Sequence, residues 1–222
     1  MVSHDADKMA SRERLLVAAA AEFAARGFAG AKVDRIAAKA GLNKAMIYYH
    51  FRNKAALYRE ILAGVFRSAA NAVAAEVRPE APVDDQVRQF VRAIAREAAG
   101  RPHFASMWLR ELADGGTHID PPVLEQMRRV LAGLSGIIAR GIDTGDFRPV
   151  QPLVVQLTVV GPILMLAASA PTRDRLSRLD GAFASAGLDD LLPYIECGAI
   201  GALRGLTDTA VSHASLSGRS RT

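Results

Sequence analysis

Groups able to do chemistry fall into three sets in this 222-residue sequence. The histidines, His4, His50, His103, His118 and His213, show no metal-ligand spacing, and there is no His-Glu-x-x-His pattern, P-loop or Gly-x-Ser-x-Gly elbow. Cys197 is the only cysteine. It has no adjacent base to activate it and permits no intrachain disulfide, so the chain reads as cytosolic. Neither set supports catalysis or implies a cofactor or metal. The third set is Lys32, Asn43, Lys44, Tyr48, Tyr49, His50 and Lys54, cations and polar side chains crowded into one short stretch. Its chemistry is attraction to a polyanion. Residues 1 to 58 hold 10 Lys+Arg against 5 Asp+Glu, whereas the rest of the chain balances 18 against 18, so this stretch and its surroundings carry the whole net charge of +5. A basic module beside a neutral body is the electrostatic footprint of a DNA-binding domain fused to something that does not bind DNA.

The elements that must position this set can be read from Lys32 to Tyr58. Val33, Ile36, Ala37 and Ala40 recur at helical spacing, and Gly41 supplies a left-handed residue on which a helix can stop. Asn43 is a preferred N-cap. From Lys44 onward Ile47 and Phe51 share one face, which leaves Lys44, Ala45, Tyr48 and Tyr49 pointing elsewhere. Two short helices separated by Gly-Leu-Asn form a helix-turn-helix, whose second helix enters the DNA major groove and reads bases with its N-terminal residues. Ala45 and Met46 then face base edges. Their short or apolar side chains point to van der Waals contact and groove shape more than to a hydrogen-bond code.

Ile36-Ala37, Ala40-Gly41-Leu42, Lys44, Tyr48-Tyr49-His50-Phe51, Asn53-Lys54 and Leu57 resemble the DNA-binding signature of the TetR family of bacterial transcriptional regulators. The resemblance covers about residues 11 to 60. It implies contacts to phosphates and thymine methyls by Tyr48 and Tyr49, with His50 beside them, and a contact of Lys54 with the DNA backbone. Where the family often has Ser or Thr before the first of these helices, this chain has Ala31 and Lys32. Lys32 can replace the missing hydroxyl contact with a charge-assisted one.

In chain order, residues 1 to 10 are polar, lack the apolar core of a signal peptide and read as disordered. Leu15, Leu16, Ala19 and Phe23 make an apolar stripe on a helix that stops at Gly27. Together with Phe28, Val33, Ile36, Ile47 and Phe51 they should close a small core. Asn53 caps a long connecting helix from Lys54 to about Val77, ended by Pro79 and Pro82. Helical segments follow from Asp84 to Gly100-Arg101-Pro102, around Phe104 to Leu112, and from Pro121 to Thr144-Gly145-Asp146. Pro149 to Thr172 carries no charge and is long enough to span a bilayer. Three prolines and several polar residues interrupt it, so it reads as a buried helix kinked at Pro162. Thr172 to Gly187 suggests a further short helix, Leu188 to Leu206 the last one, and Thr207 to Thr222 a disordered tail.

The fold class is thus all-α: a helix-turn-helix module over residues 1–58, joined by a long helix to a ligand-binding and dimerisation body over 59–222. The uncharged segment and the last helix are the expected homodimer interface, with Ala199 and Ile200 near its centre. Phe90, Phe104, Met107, Trp108, Met127 and Met165 are candidates for an apolar effector pocket, with Glu111, His103 and Arg110 as the nearest polar anchors. Met and aromatic residues at such spacing are more often plain core. The reading is a cytoplasmic DNA-binding repressor, released from an inverted-repeat operator by an apolar or amphipathic small molecule, with no membrane partner. Its rivals are an effector-independent activator or architectural DNA protein and, from another class, an enzyme on a helical body.

Overall fold

A computed structural model describes residues 2–181 and 187–205 of the chain. The tail expected over Thr207 to Thr222, Leu206, His213 and much of the stretch before Gly187 lie outside the described residues. Among the described residues all regular structure is helical: α1 Val2–Gly30, α2 Val33–Ala40, α3 Ala45–Phe51, α4 Lys54–Glu76, α5 Val83–Ala99, α6 Phe104–Ala113, α7 Pro121–Asp143, α8 Pro152–Leu179 and α9 Leu188–Arg204. The chain forms two compact units. One is Met1–Ser68 with Gly100–Arg128, the other Ala69–Ala99 with Arg129–Thr222.

The first unit is built around the expected small core. Leu15, Ala19 and Phe23 of α1, Ile36 of α2, Ile47 and Phe51 of α3, and Leu57 and Leu62 of α4 are all buried. Phe28 and Val33 are half-buried at its margin. Burying an aliphatic side chain of this size removes it from water at a gain of about 1.5 to 3 kcal/mol, which the ordering of the chain largely offsets. Gly27 interrupts α1 with φ 67° and ψ 176°, a backbone conformation that side chains other than glycine's rarely allow. The carbonyls left open beyond this break are taken by cations: Lys54 Nζ donates to Phe28 O at 2.9 Å and Ala31 O at 3.1 Å, and Arg35 Nη2 to Gly30 O at 2.6 Å.

One expectation for this unit is corrected. Residues 2–10, read as disordered, belong to α1. They contain no proline or glycine, and Lys8 and Ser11 make contacts with α3 that tie these early turns down.

In the second unit α5 lays Val87, Phe90, Val91 and Ile94 against α8 and α9. A bidentate ion pair from Arg92 to Glu196, at 2.7 and 3.2 Å, ties α5 to α9. Two further expectations change here. Helix α8 runs on through Pro162 and Pro171 to Leu179, so it takes in the first part of the stretch expected to hold a separate short helix; residues 182–186 of that stretch lie outside the described residues. Nor is it a buried helix within one chain. Val155, Val159, Ile163 and Leu164 are buried, but Leu153, Val154, Leu157 and Met165 are exposed. An uncharged sequence shows that a helix must leave water, not which molecule covers it. For the same reason Ala199 and Ile200 cannot centre an interface: both are buried in their own chain, while Pro193, Tyr194, Cys197 and Gly198 form the open face of α9.

Candidate nucleic-acid interface

Helix α2 starts without a side-chain cap at Lys32 and ends on Gly41, whose φ of 62° is left-handed. Arg14 of α1 closes this end by donating to the carbonyls of Ala40 and Gly41. The φ at Gly41 is what favours glycine there; a Cβ would also come within 2.7 Å of Arg14 Nη2, the mobile end of a side chain that would have to shift. Two residues on, Asn43 Oδ1 accepts the Ala45 N–H at 2.9 Å and opens α3, as its type suggests. Asn53 repeats the device for α4 by accepting the Ala56 N–H at 2.8 Å.

With Ile47 and Phe51 inward, α3 presents Lys44, Ala45, Tyr48 and Tyr49 to solvent, and Met46 is half-exposed. Tyr49 is 61% exposed and Tyr48 48%, far more than an aromatic side chain with only a packing role. Lys32 and Asn43 are also exposed. Lys44 is engaged in the free protein: its Nζ lies 2.9 Å from Asp34 Oδ1. The hydrogen bond and charge of Asp34 hold the ammonium's pKa above its ordinary value. Lys54 is half-buried, over the Phe28 ring at 4.5 Å, with two of its three protons given to the carbonyls named above. His50 is drawn inward, its Nε2 2.9 Å from Ser11 Oγ. Burial, with the charges of Lys8 and Arg12, lowers its pKa.

Beneath this face, Glu22 of α1 is a buried carboxylate. Burial pushes its pKa up, but the hydrogen bond and charge of Arg35, at 2.6 Å, and the charge of Arg26 outweigh burial and leave it below the ordinary carboxylate value. This ion pair fixes α2 to α1. Neither it nor Arg14 nor Ser11 was singled out from the sequence, because a charged or polar residue reveals its partner only when helices distant in sequence meet.

Two family models match the chain: residues 15–61 fit "Bacterial regulatory proteins, tetR family", and residues 82–180 fit "Tetracyclin repressor-like, C-terminal domain". The HTH-type transcriptional repressor SCO4008 of Streptomyces coelicolor is 31% identical over 158 residues, 69% of this chain and 78% of that protein. This chain belongs to the TetR family. It is a DNA-binding transcriptional regulator with a helix-turn-helix, and not an enzyme. The regulator RutR of Escherichia coli is 23% identical over 64% of this chain and 67% of its own length. Among solved structures, a tetR-family regulatory protein from Rhodococcus RHA1 superposes with a TM-score of 0.70 at 20% identity, covering 86% of this chain and 95% of that one. FadR of Bacillus subtilis, solved with stearoyl-CoA, gives 0.64 at 17%, covering 85% and 97%. These likenesses show the TetR fold. Regulators of this family bind DNA and small-molecule ligands and dimerise.

The effector candidates of this TetR-family chain are divided between its units. In the first, Phe104 and Trp108 of α6 stack with ring centroids 6.1 Å apart, and Phe66 of α4 meets Trp108 edge-on at 5.0 Å. Met107 is buried and Met127 half-buried. Glu111 is buried with its carboxylate already engaged. It accepts the His118 backbone N–H at 2.6 Å, lies 3.0 Å from His118 Nδ1 and hydrogen-bonds Tyr58, whose pKa rises through burial and this carboxylate. The His118 ring in turn lies 3.9 Å from Phe28. His103 starts α6 without capping it, and Arg110 is exposed. In the second unit Phe90 is fully buried and Met165 58% exposed. A cleft of about 570 Å³ in this unit is lined by Leu166, Asp189, Asp190, Leu191, Pro193 and Tyr194, none of them among the effector candidates.

Proposed function

We propose that the protein is a cytoplasmic homodimeric repressor that grips an inverted-repeat operator and releases it when an apolar or amphipathic small molecule binds the helical body. Residues 1–58 would bind DNA and residues 59–222 would bind the effector and the second copy. The observation that carries this reading is the outward face of α3, where Lys44, Ala45, Tyr48 and Tyr49 stand exposed on a helix locked from behind by Ile47 and Phe51. Lys32, Lys44, Tyr49 and Lys54 supply phosphate contacts, and Ala45 and Met46 meet base edges, with Asn43, Tyr48 and His50 around them. Two copies related by a twofold axis place two such helices on half-sites about 34 to 36 Å apart, or a multiple of that distance.

Repression is supported by relatives named as repressors, SCO4008 and NicS of Pseudomonas putida. An apolar effector is supported by the stearoyl-CoA bound to the structurally similar FadR. Release is a population shift: the effector must bind better to the conformation whose recognition helices are misplaced. The test is to sequence duplexes that the purified protein retains from a random library, then titrate fatty acyl-CoAs into the complex. Recovered inverted repeats that dissociate on titration are expected. A complex insensitive to every metabolite tried would point to an effector-independent activator or architectural protein.

A further inference from the structure

Three consecutive residues of α3 are each met by a residue of α1. Lys8 Nζ lies 5.4 Å from the Tyr49 ring centre, Ser11 Oγ 2.9 Å from His50 Nε2, and the Arg12 guanidinium 5.2 Å from the Phe51 ring centre. Arg12 is held in turn by Glu60 of α4 at 2.6 Å. The middle contact decides where a proton sits. Ser11 is buried, and its Oγ is also 2.9 Å from the Lys8 carbonyl oxygen, which has no proton to give. The single hydroxyl proton therefore goes to that carbonyl. Towards His50 the hydroxyl can only accept, so Nε2 carries a proton and, in the neutral ring, Nδ1 carries none. A phosphate oxygen is itself an acceptor, and a neutral His50 held this way has nothing to donate to it.

We propose that Ser11 is a positioning residue for operator binding: it holds His50 in the Nε2–H form, so that His50 meets a DNA phosphate only as the doubly protonated imidazolium and binding takes up a proton at Nδ1. This rests on α3 being the helix that meets DNA. The groups facing the imidazole are Lys8 and Arg12 from α1 and Tyr49 on its own helix, at a ring distance of 5.0 Å, with Glu60 of α4 reached through Arg12. Partial burial, and after it the charges of Lys8 and Arg12, favour the neutral ring in the free protein. A phosphate at Nδ1 reverses that balance, because an opposite charge at hydrogen-bond distance favours the charged form.

The experiment measures affinity of the full-length protein for a duplex selected from a random library, at constant ionic strength between about pH 5.5 and 8.5, the range around an imidazole's ordinary pKa. Wild-type affinity is expected to fall as pH rises, with uptake of about one proton per chain. His50→Gln should remove that dependence. Ser11→Ala frees the ring to turn or change tautomer, so a neutral His50 can donate and the slope should flatten; Ser11→Thr, which keeps the hydroxyl, should restore it. Nitrogen-15 shifts of the imidazole should report Nε2–H in wild type and a mixed state in Ser11→Ala. A flat wild-type profile would overturn the proposal, as would a Ser11→Ala protein with unchanged slope and tautomer. Lys44→Ala and Tyr49→Ala separate the two levels: if they weaken binding while wild type shows no pH slope, only the role of His50 fails; if neither weakens it, the reading of α3 fails.

Discussion

Lys44 shows how a single side chain can serve two partners in succession. In the free protein it is paired with Asp34; on DNA, a phosphate would have to take Asp34's place. Asp34→Asn is therefore expected to tighten operator binding, since no internal anion then competes, and Lys44→Ala to weaken it and reduce the salt dependence by about one counterion per lost contact. Fluorescence anisotropy across a salt series reads both. Ala45 or Met46 replacements should instead change the preferred sequence, visible by repeating the library selection. Glu22 gives a prediction in pH. Its folded pKa lies below the ordinary value of 4.5, so the stabilisation it contributes is complete above that value and is lost as pH falls through the folded pKa. Glu22→Gln should lower the denaturation midpoint at neutral pH, and the difference from wild type should shrink on acidification. At this scale the sequence made the exposed side chains legible: Lys44, Tyr48 and Tyr49 lie opposite an apolar stripe, and periodicity alone turns them outward. What escaped it were pairings such as Ser11 with His50 or Glu111 with His118, where the polar group's partner sits on another helix or across a glycine turn.

Among the elements, the short helices were the easiest to read, because their ends are chemical. Gly41 stops α2, Asn43 opens α3 and Asn53 opens α4, each by a local hydrogen-bonding or backbone requirement independent of the rest of the chain. Gly41→Ala tests this directly. The left-handed backbone alone should cost about 1 to 2 kcal/mol, and the new methyl would also press on Arg14. Urea unfolding should show the loss with an unchanged slope, and operator affinity should drop as the turn between α2 and α3 loosens. The longest elements were harder. Helix α8 keeps going through two prolines, and α1 starts well before its apolar stripe.

At the scale of the whole molecule, the outward side of α8 and α9 is the apolar surface that one chain leaves exposed. Leu157 is 63% exposed and Tyr194 77%, and an added Cβ at Gly161, Gly198 or Gly201 would meet nothing within 4 Å. Covering this surface with a second copy is the dimer of the proposed function. Leu157→Glu should then yield a folded monomer by light scattering and far-ultraviolet dichroism, with operator affinity much reduced. Ala199→Arg should unfold the chain itself, since Ala199 is buried within its own unit.

The bare leucines and valines of α8 carry a further consequence, for temperature. A chain that leaves so much oil-like surface to be covered by its twin shares its stability with that twin, and mass action then governs when it melts. Diluting the protein should lower its midpoint of thermal unfolding, step by step, with no change of buffer or sequence. A midpoint that stays fixed over a hundredfold dilution would mean that each copy stands alone.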